Sequence, residues 1–302
     1  MLDGPQPVDP SISLAIASPD DARAAVARLA AAGVDFVKVY TLLPPDAYRA
    51  AVEAAHAASL PVAGHVPYGI AIVEAAAGMR SIEHLRAETG GICAELDADA
   101  CAAAWNALRA HGTWATPTLV ARRPRAEIDD ARYDDPALAA NVPCMLRGIW
   151  TRNRDRRRAE STGESQARRR AEFAREMQDA ASLPARGIAL LAGSEAGSDF
   201  AAPGAGLHDE LALLVAAGLS PRQALQAATS NAADFLGDPA VGRIAAGGPA
   251  DLVLLDADPL VDIGATRRIA GVVRAGRWLD RAALDALLAD AARASACPSP
   301  TE

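Results

Sequence analysis

Four residues carry the chemistry that this 302-residue chain would be expected to perform: Lys38 in VDFVKVY, His65 in PVAGHVP, His84 in SIEHL and Glu195 in LLAGSEAG. A lysine inside an apolar run is costly to bury unless its charge is compensated, and imidazoles at the ends of later apolar runs suit a divalent metal. Together they suggest metal-assisted hydrolysis, in which a bound ion lowers the pKa of water and a carboxylate accepts the proton. Plainer explanations stay open. Lys38 also reads as an ordinary catalytic amine, or as a strand-end lysine extending its ammonium into solvent. His65 follows glycine at a strand end, so it reads as a ligand or as a hydrogen-bonded loop histidine. Alternation along SIEHL sends Glu83 outward and His84 inward. Glu195 reads as a base or as a solvated loop acid. The ligand set is short, because no His-x-His occurs and all five histidines lie at or after His56.

Weaker candidates surround these. Tyr68 and Arg86, each close behind a candidate ligand, and His208 in LHDE suit recognition of a substrate carbonyl or carboxylate, although loop aromatics and arginines often do neither. His56 and His111 sit near helix ends and read as capping or surface groups. The glycines around Gly193 and Gly197 do not form GxGxxG, so nucleotide binding lacks its phosphate cradle.

The elements that must position these residues alternate. SPDDARAAVARLAAAG carries an N-cap, first-turn acids and an alanine-rich amphipathic pattern ended by Gly33, and VDFVKVY follows as a buried strand. A helix from roughly Pro45 to Ser59 leads into PVAGHVP, and another from about Ile70 to Gly78 leads into MRSIEHL. LDADACAAAWNALRAHG reads as a helix, TWATPTLV as a strand, and Gly187 to Gly193 as another strand. Helix-strand units of this length imply parallel strands with helical crossovers, in a barrel or in a doubly wound sheet. The interval 122–185 is dense in arginine and glutamate and reads as long helices inserted into this rhythm. Helices resume at LHDELALLVAAG and at SPRQALQAATSNAADFLG, where Ser220 and Pro221 suit the cap and first turn. From Asp238 the texture turns β-rich. The expected organisation is therefore a barrel over 1–236 containing the insertion, a small β-rich module over 237–282, and a helix and tail over 283–302.

Composition narrows the partners. An apolar fraction of 51% supports a sizeable core, and a formal charge of -8 argues against a general nucleic-acid surface despite the basic stretch Arg147–Arg170. Cys93, Cys101, Cys144 and Cys297 show neither zinc-finger nor dense disulfide spacing, so free thiols in a reducing cytoplasm are expected. The opening MLDGPQPVDPS lacks a basic region followed by an apolar one, and no long apolar segment suits a bilayer.

VDFVKVY, PVAGHVP, AAGMRSIEHL, LLAGSEAG, LHDELALLVAAGLSPRQALQAATSNAADFLG and VGRIAAGGPADLVLLDADP together resemble the amidohydrolase superfamily, in its imidazolonepropionase-like and prolidase-like branch. The resemblance runs from about Ser18 to Leu279. It implies an α/β fold, an incomplete metal-dependent hydrolase-type TIM barrel with a small C-terminal β-sandwich portion. It also implies that Lys38 is the lysine whose carboxylated form bridges two metals, that His65 and His84 are ligands, and that Glu195 stands where an aspartate handles the attacking water. Departures accompany it: the strand-one His-x-His is missing, the N-terminal strands are expected to be absent, and Met1 resembles a start inside a longer family sequence. Glu195 adds a methylene, moving its oxygens by roughly 1 Å, a displacement that costs on the order of 100-fold in rate.

The activity implied is hydrolysis of a non-protein amide, cyclic amide or dipeptide-like C–N bond with a divalent metal, Zn2+ foremost, as one or two ions. The alternative is a noncatalytic homologue with a regulatory or assembly role. Expected partners are a small amide substrate and a second copy or a complementary N-terminal chain, with no nucleic acid and no membrane.

Overall fold

The computed structural model describes residues 1–85, 91–94, 96–139 and 141–297. Contacts gather the chain into two compact units, Met1–Pro117 with Gln178–Leu191, and Thr118–Met177 with Ala192–Glu302.

The first unit alternates strand and helix: β1 (Leu2–Asp3), β2 (Leu14–Ala15), α1 (Pro19–Ala31), β3 (Val37–Val39), α2 (Pro45–Ala57), β4 (Val62–Gly64), α3 (Ile72–Gly78), β5 (Ser81–Glu83), α4 (Ala98–His111) and β6 (Trp114–Thr116). The strands form one parallel, barrel-like sheet in the order β2-β1-β3-β4-β5-β6. Parallel neighbours need long crossovers, and α1 to α4 supply them. Their ends follow local chemistry. Ser18 caps α1 by accepting from the Asp21 N–H, Asp97 caps α4 through Ala100, and Gly112 ends α4 in the left-handed conformation. Val37, Val39 and Val62 are wholly buried, as are Ala47, Ala51 and Ala55 of α2, whose small side chains let the helix lie close to its neighbours.

The opening residues add two short strands, β1 and β2, that the sequence reading did not assign, and two expectations for this region change. Gly187–Gly193 makes one isolated parallel bridge, Leu190 to Ala115, instead of a strand. TWATPTLV is a strand only to Thr116, because Thr118 turns left-handed (φ 51°) and the next helix begins at once.

The second unit contains α5 (Leu119–Ala126), α6 (Cys144–Glu160), α7 (Gly163–Ser182, whose residues from Gln178 count with the first unit), α8 (Ala205–Ala217), α9 (Pro221–Ala228), α10 (Ser230–Leu236), β7 (Leu252–Leu255), β8 (Ile269–Arg274), β9 (Arg277–Asp280) and α11 (Arg281–Ala294). SPRQALQAATSNAADFLG breaks into α9 and α10 at Thr229, whose ψ of -93° leaves the helical range. The three strands form a small antiparallel sheet in the order β7-β8-β9.

Many arginines of the 122–185 interval are engaged. Arg122 grips the buried Glu176 through both guanidinium and carboxylate forks, Arg158 reaches Asp134, and Arg170 reaches Asp129.

The free-thiol expectation is overturned. Cys93 pairs with Cys101 and Cys144 with Cys297, so all four cysteines are bridged. The second pair spans 153 residues, a separation at which the sequence gives no hint of proximity.

Candidate functional site

The first unit gathers three of the proposed site residues, Lys38 within β3 and His65 and His84 just after β4 and β5. Lys38 lies mid-β3 in register with Ala63, and its Nζ stands 5.8 Å from the centre of the Tyr40 ring. Tyr40 in turn lies against the His65 imidazole, with centroids 3.9 Å apart and planes 32° apart. His65 meets His84 edge to face, with centroids 4.6 Å apart. A continuous series of rings thus runs from the lysine to both histidines.

Each position has a local cause. His65 follows β4 across Gly64, whose φ of +127° suits glycine, and a Cβ there would run into the Val39 carbonyl oxygen. The His65 Nδ1 shares a 2.7 Å hydrogen bond with the Thr41 hydroxyl, fixing the ring's orientation. His84 arrives by a different route from simple alternation. Ser81 lies in register with Ala63, hence with Lys38, and its hydroxyl donates to Glu83 at 2.8 Å, so Glu83 shares the lysine's face. Alternation would send His84 away, opposite to expectation. Instead His84 (φ 71°) and Leu85 (φ 42°) both adopt left-handed backbone, and this turn carries the imidazole back against His65. Left-handed conformation in two successive non-glycine residues costs energy, and such strain concentrates at functional positions.

Asp3, which sequence reading missed, is wholly buried in the same sheet, on β1 beside β3. Its carboxylate accepts from the backbone N–H groups of Gly4 (2.9 Å), Leu42 (2.9 Å) and Val8 (2.7 Å). Three donors compensate the buried charge, and the acid ties the opening segment to the loop after β3. Only the hydrophobic neighbour Leu2 hinted at burial.

The substrate-recognition candidates separate. Tyr68 is 45% exposed, and its backbone N–H donates to the Thr41 carbonyl at 3.0 Å. Arg86 lies outside the described residues. In the second unit, His208 on α8 bonds through Nδ1 to the Thr266 hydroxyl at 3.0 Å, and the adjacent Asp209 pairs with Arg267 at 2.5 Å. Burial first, and the Arg267 guanidinium second, hold the His208 imidazole below the ordinary histidine range. These contacts make His208 a fastening between α8 and the turn Ile263–Arg267. His56, read as a helix-end group, bonds through Nε2 to the Gly78 carbonyl.

Glu195 also belongs to the second unit. It is partly buried, takes left-handed backbone (φ 51°), and its carbonyl accepts from the Ser198 N–H at 3.0 Å. Another acid of this unit escaped sequence reading. Glu210 on α8 is completely buried, and its Oε2 accepts from the Val120 N–H at 2.8 Å at the start of α5. Burial pushes its carboxyl up to about 8, even against the backbone hydrogen bonds it receives. Its other oxygen has no partner among the described residues. In the sequence it was indistinguishable from a helix surface acid.

The donor set bears on a metal directly. Among the described residues no group of three His, Cys, Asp or Glu side chains is placed to hold an ion. The two imidazoles supply half of a tetrahedral shell, and Lys38 presents a cationic ammonium in its unmodified form. The described residues therefore do not fit a complete centre.

The profile of the Amidohydrolase family matches residues 32–279. The chain belongs to the amidohydrolase family. Among solved structures it is similar to a bottromycin amidohydrolase, with 31% identity and a TM-score of 0.76 over 97% of this chain and 66% of that one. A Xaa-Pro dipeptidase (20% identity, TM-score 0.61, 88% of this chain and 59% of that one) shares the fold. So does the ochratoxinase of A. niger (22% identity, TM-score 0.61, 88% and 56%). The chain thus spans about two-thirds or less of the length of these three structures. A search of curated proteins finds no match. Among the described residues, no helix is long and apolar enough to cross a membrane.

Proposed function

We propose that the 302-residue chain is a noncatalytic amidohydrolase homologue with a regulatory or assembly role. The observation that carries this reading is the donor set: two imidazoles, His65 and His84, with no third metal-capable side chain grouped with them among the described residues. The neighbouring acids have other employment. Asp3 is bound by three backbone donors and Glu83 by the Ser81 hydroxyl.

A second reading is supported by the 31% identity to an amidohydrolase and by the meeting of the two histidine rings. In it, Lys38, His65 and His84 hold one side of a divalent metal, Zn2+ foremost, whose further ligands lie outside the described residues. The reaction is hydrolysis of an amide, cyclic amide or dipeptide-like C–N bond, with Glu195 accepting the proton and Tyr68, Arg86 and His208 as the substrate-facing candidates.

The test is to load the purified chain with Zn2+, desalt it, measure retained metal, and assay a panel of amides, cyclic amides and dipeptides. The expected result is substoichiometric metal and no turnover above buffer. Stoichiometric metal with turnover, both lost in His65→Ala and His84→Ala, would instead establish the hydrolase. In that case Glu195→Asp should keep the metal and raise turnover, by up to about 100-fold if the extra methylene is what misplaces the base.

A further inference from the structure

The second unit carries an accessible disulfide at the foot of the helix that holds the Glu195 loop. Cys144 is the first residue of α6, and its partner Cys297 lies just beyond α11. Cys297 is exposed. The Arg147 Nη2 stands 3.7 Å from the Cys297 sulfur while donating to the Ser295 carbonyl at 2.6 Å, and the Ser295 hydroxyl donates to the Asn141 carbonyl at 3.3 Å. The tail is therefore joined to the first turn of α6 and the residues before it by one covalent bond and three hydrogen bonds.

Further along α6, Trp150, Asn153 and Arg157 are spaced three and four residues apart and share one side of the helix. All three grip the loop that begins at Glu195. The Trp150 indole N–H donates to the Gly197 carbonyl at 3.3 Å, the Asn153 amide donates to Asp199 at 2.8 Å, and Arg157 pairs with Asp199 at 2.7 Å. Phe200 packs against Trp150 at 5.4 Å and against Tyr133 at 4.8 Å.

We propose that Cys144–Cys297 is a thiol–disulfide exchange site, at which reduction by a dithiol releases the tail from α6 and loosens the Glu195–Phe200 loop. A thiolate of the dithiol attacks the Cys144 Sγ, the S–S bond breaks, and its electron pair leaves on the Cys297 Sγ. The Arg147 guanidinium stabilises the departing thiolate, which makes Cys297 the better leaving group. The reductant's second thiol then displaces Cys144 and closes the reductant's own disulfide. Two electrons pass to the protein, and its two new thiols take the two protons the dithiol gives up. This site depends on neither reading of the metal residues.

The experiment uses the oxidised 302-residue chain, titrated with dithiothreitol. Free thiols are alkylated and mapped by mass, and deuterium exchange is read on peptides covering 144–157, 195–200 and α8. Cys144 and Cys297 should become alkylated together, with exchange at 195–200 rising on the order of tenfold and α8 unchanged. Arg147→Gln should slow the reduction about threefold. The double variant Cys144→Ser/Cys297→Ser should show the raised exchange without reductant. The proposal is overturned by free Cys144 and Cys297 in the air-oxidised protein, by a pair that resists millimolar dithiothreitol, or by reduction that leaves 195–200 unchanged. A rise spread evenly through α8 would mark general unfolding and would overturn it too, and an unchanged rate in Arg147→Gln would remove the assigned order of attack.

Discussion

At the scale of single residues, the acids and strained positions give the sharpest expectations. Glu210 has a carboxyl raised to about 8 in the folded chain, from an ordinary value of 4.5. The folded state therefore holds this proton more tightly than the unfolded state. Its contribution to stability is complete below about pH 4.5 and is lost as pH rises through about 8, with a slope of about 1.4 kcal/mol per pH unit between those limits. Glu210→Gln keeps an oxygen for the Val120 N–H and removes the titration, so urea melts at pH 5 to 8 should show a flatter profile and a gain over the wild type that grows with pH. His84 offers a separate test, because its left-handed backbone suits glycine better than any L side chain. His84→Gly should unfold at higher urea than His84→Ala by about 1 kcal/mol, although both lose the imidazole. An equal midpoint for the two variants would mean that the turn stores no strain.

At the scale of elements, the helix boundaries rest on short-range chemistry that can be tested independently of the site. Ser220 and Gln223 form a reciprocal capping box at α9, the Ser220 hydroxyl accepting from the Gln223 N–H while the Gln223 side chain accepts from the Ser220 N–H. Ser220→Ala should cost about 1 kcal/mol in chemical denaturation and Ser220→Asp much less, since aspartate also caps. These caps are why two of the helices were readable in the amino-acid order: SPDD and SPRQ each announce a first turn. The strand at Gly187–Gly193 was misread because an apolar run gives no sign of whether a neighbour lies in register to receive it. The facing of Glu83 was misread for a related reason, since the left-handed turn that follows it cancels the alternation that a strand pattern assumes.

At the scale of the whole molecule, the family and the parallel sheet were legible because they recur as motifs along the chain. The contacts that join distant segments were not. Asp3 becomes recognisable only when the Leu42 N–H approaches it, and the Cys144–Cys297 pair only when α6 and the end of α11 meet. Closing a loop of that size should stabilise the second unit by roughly 4–5 kcal/mol through the unfolded chain, less whatever strain it carries. The fold also limits which descendants of this sequence can exist. Neighbouring strands approach so closely at Gly64 that position 64 admits no side chain, whereas positions 41 and 68 lie around it in less confined surroundings. A library randomised across 62–68 and selected for folding should return glycine alone at 64 and varied residues at 68. Any new specificity that arises on this scaffold would then come from the loop, while the glycine hinge that presents His65 stays fixed.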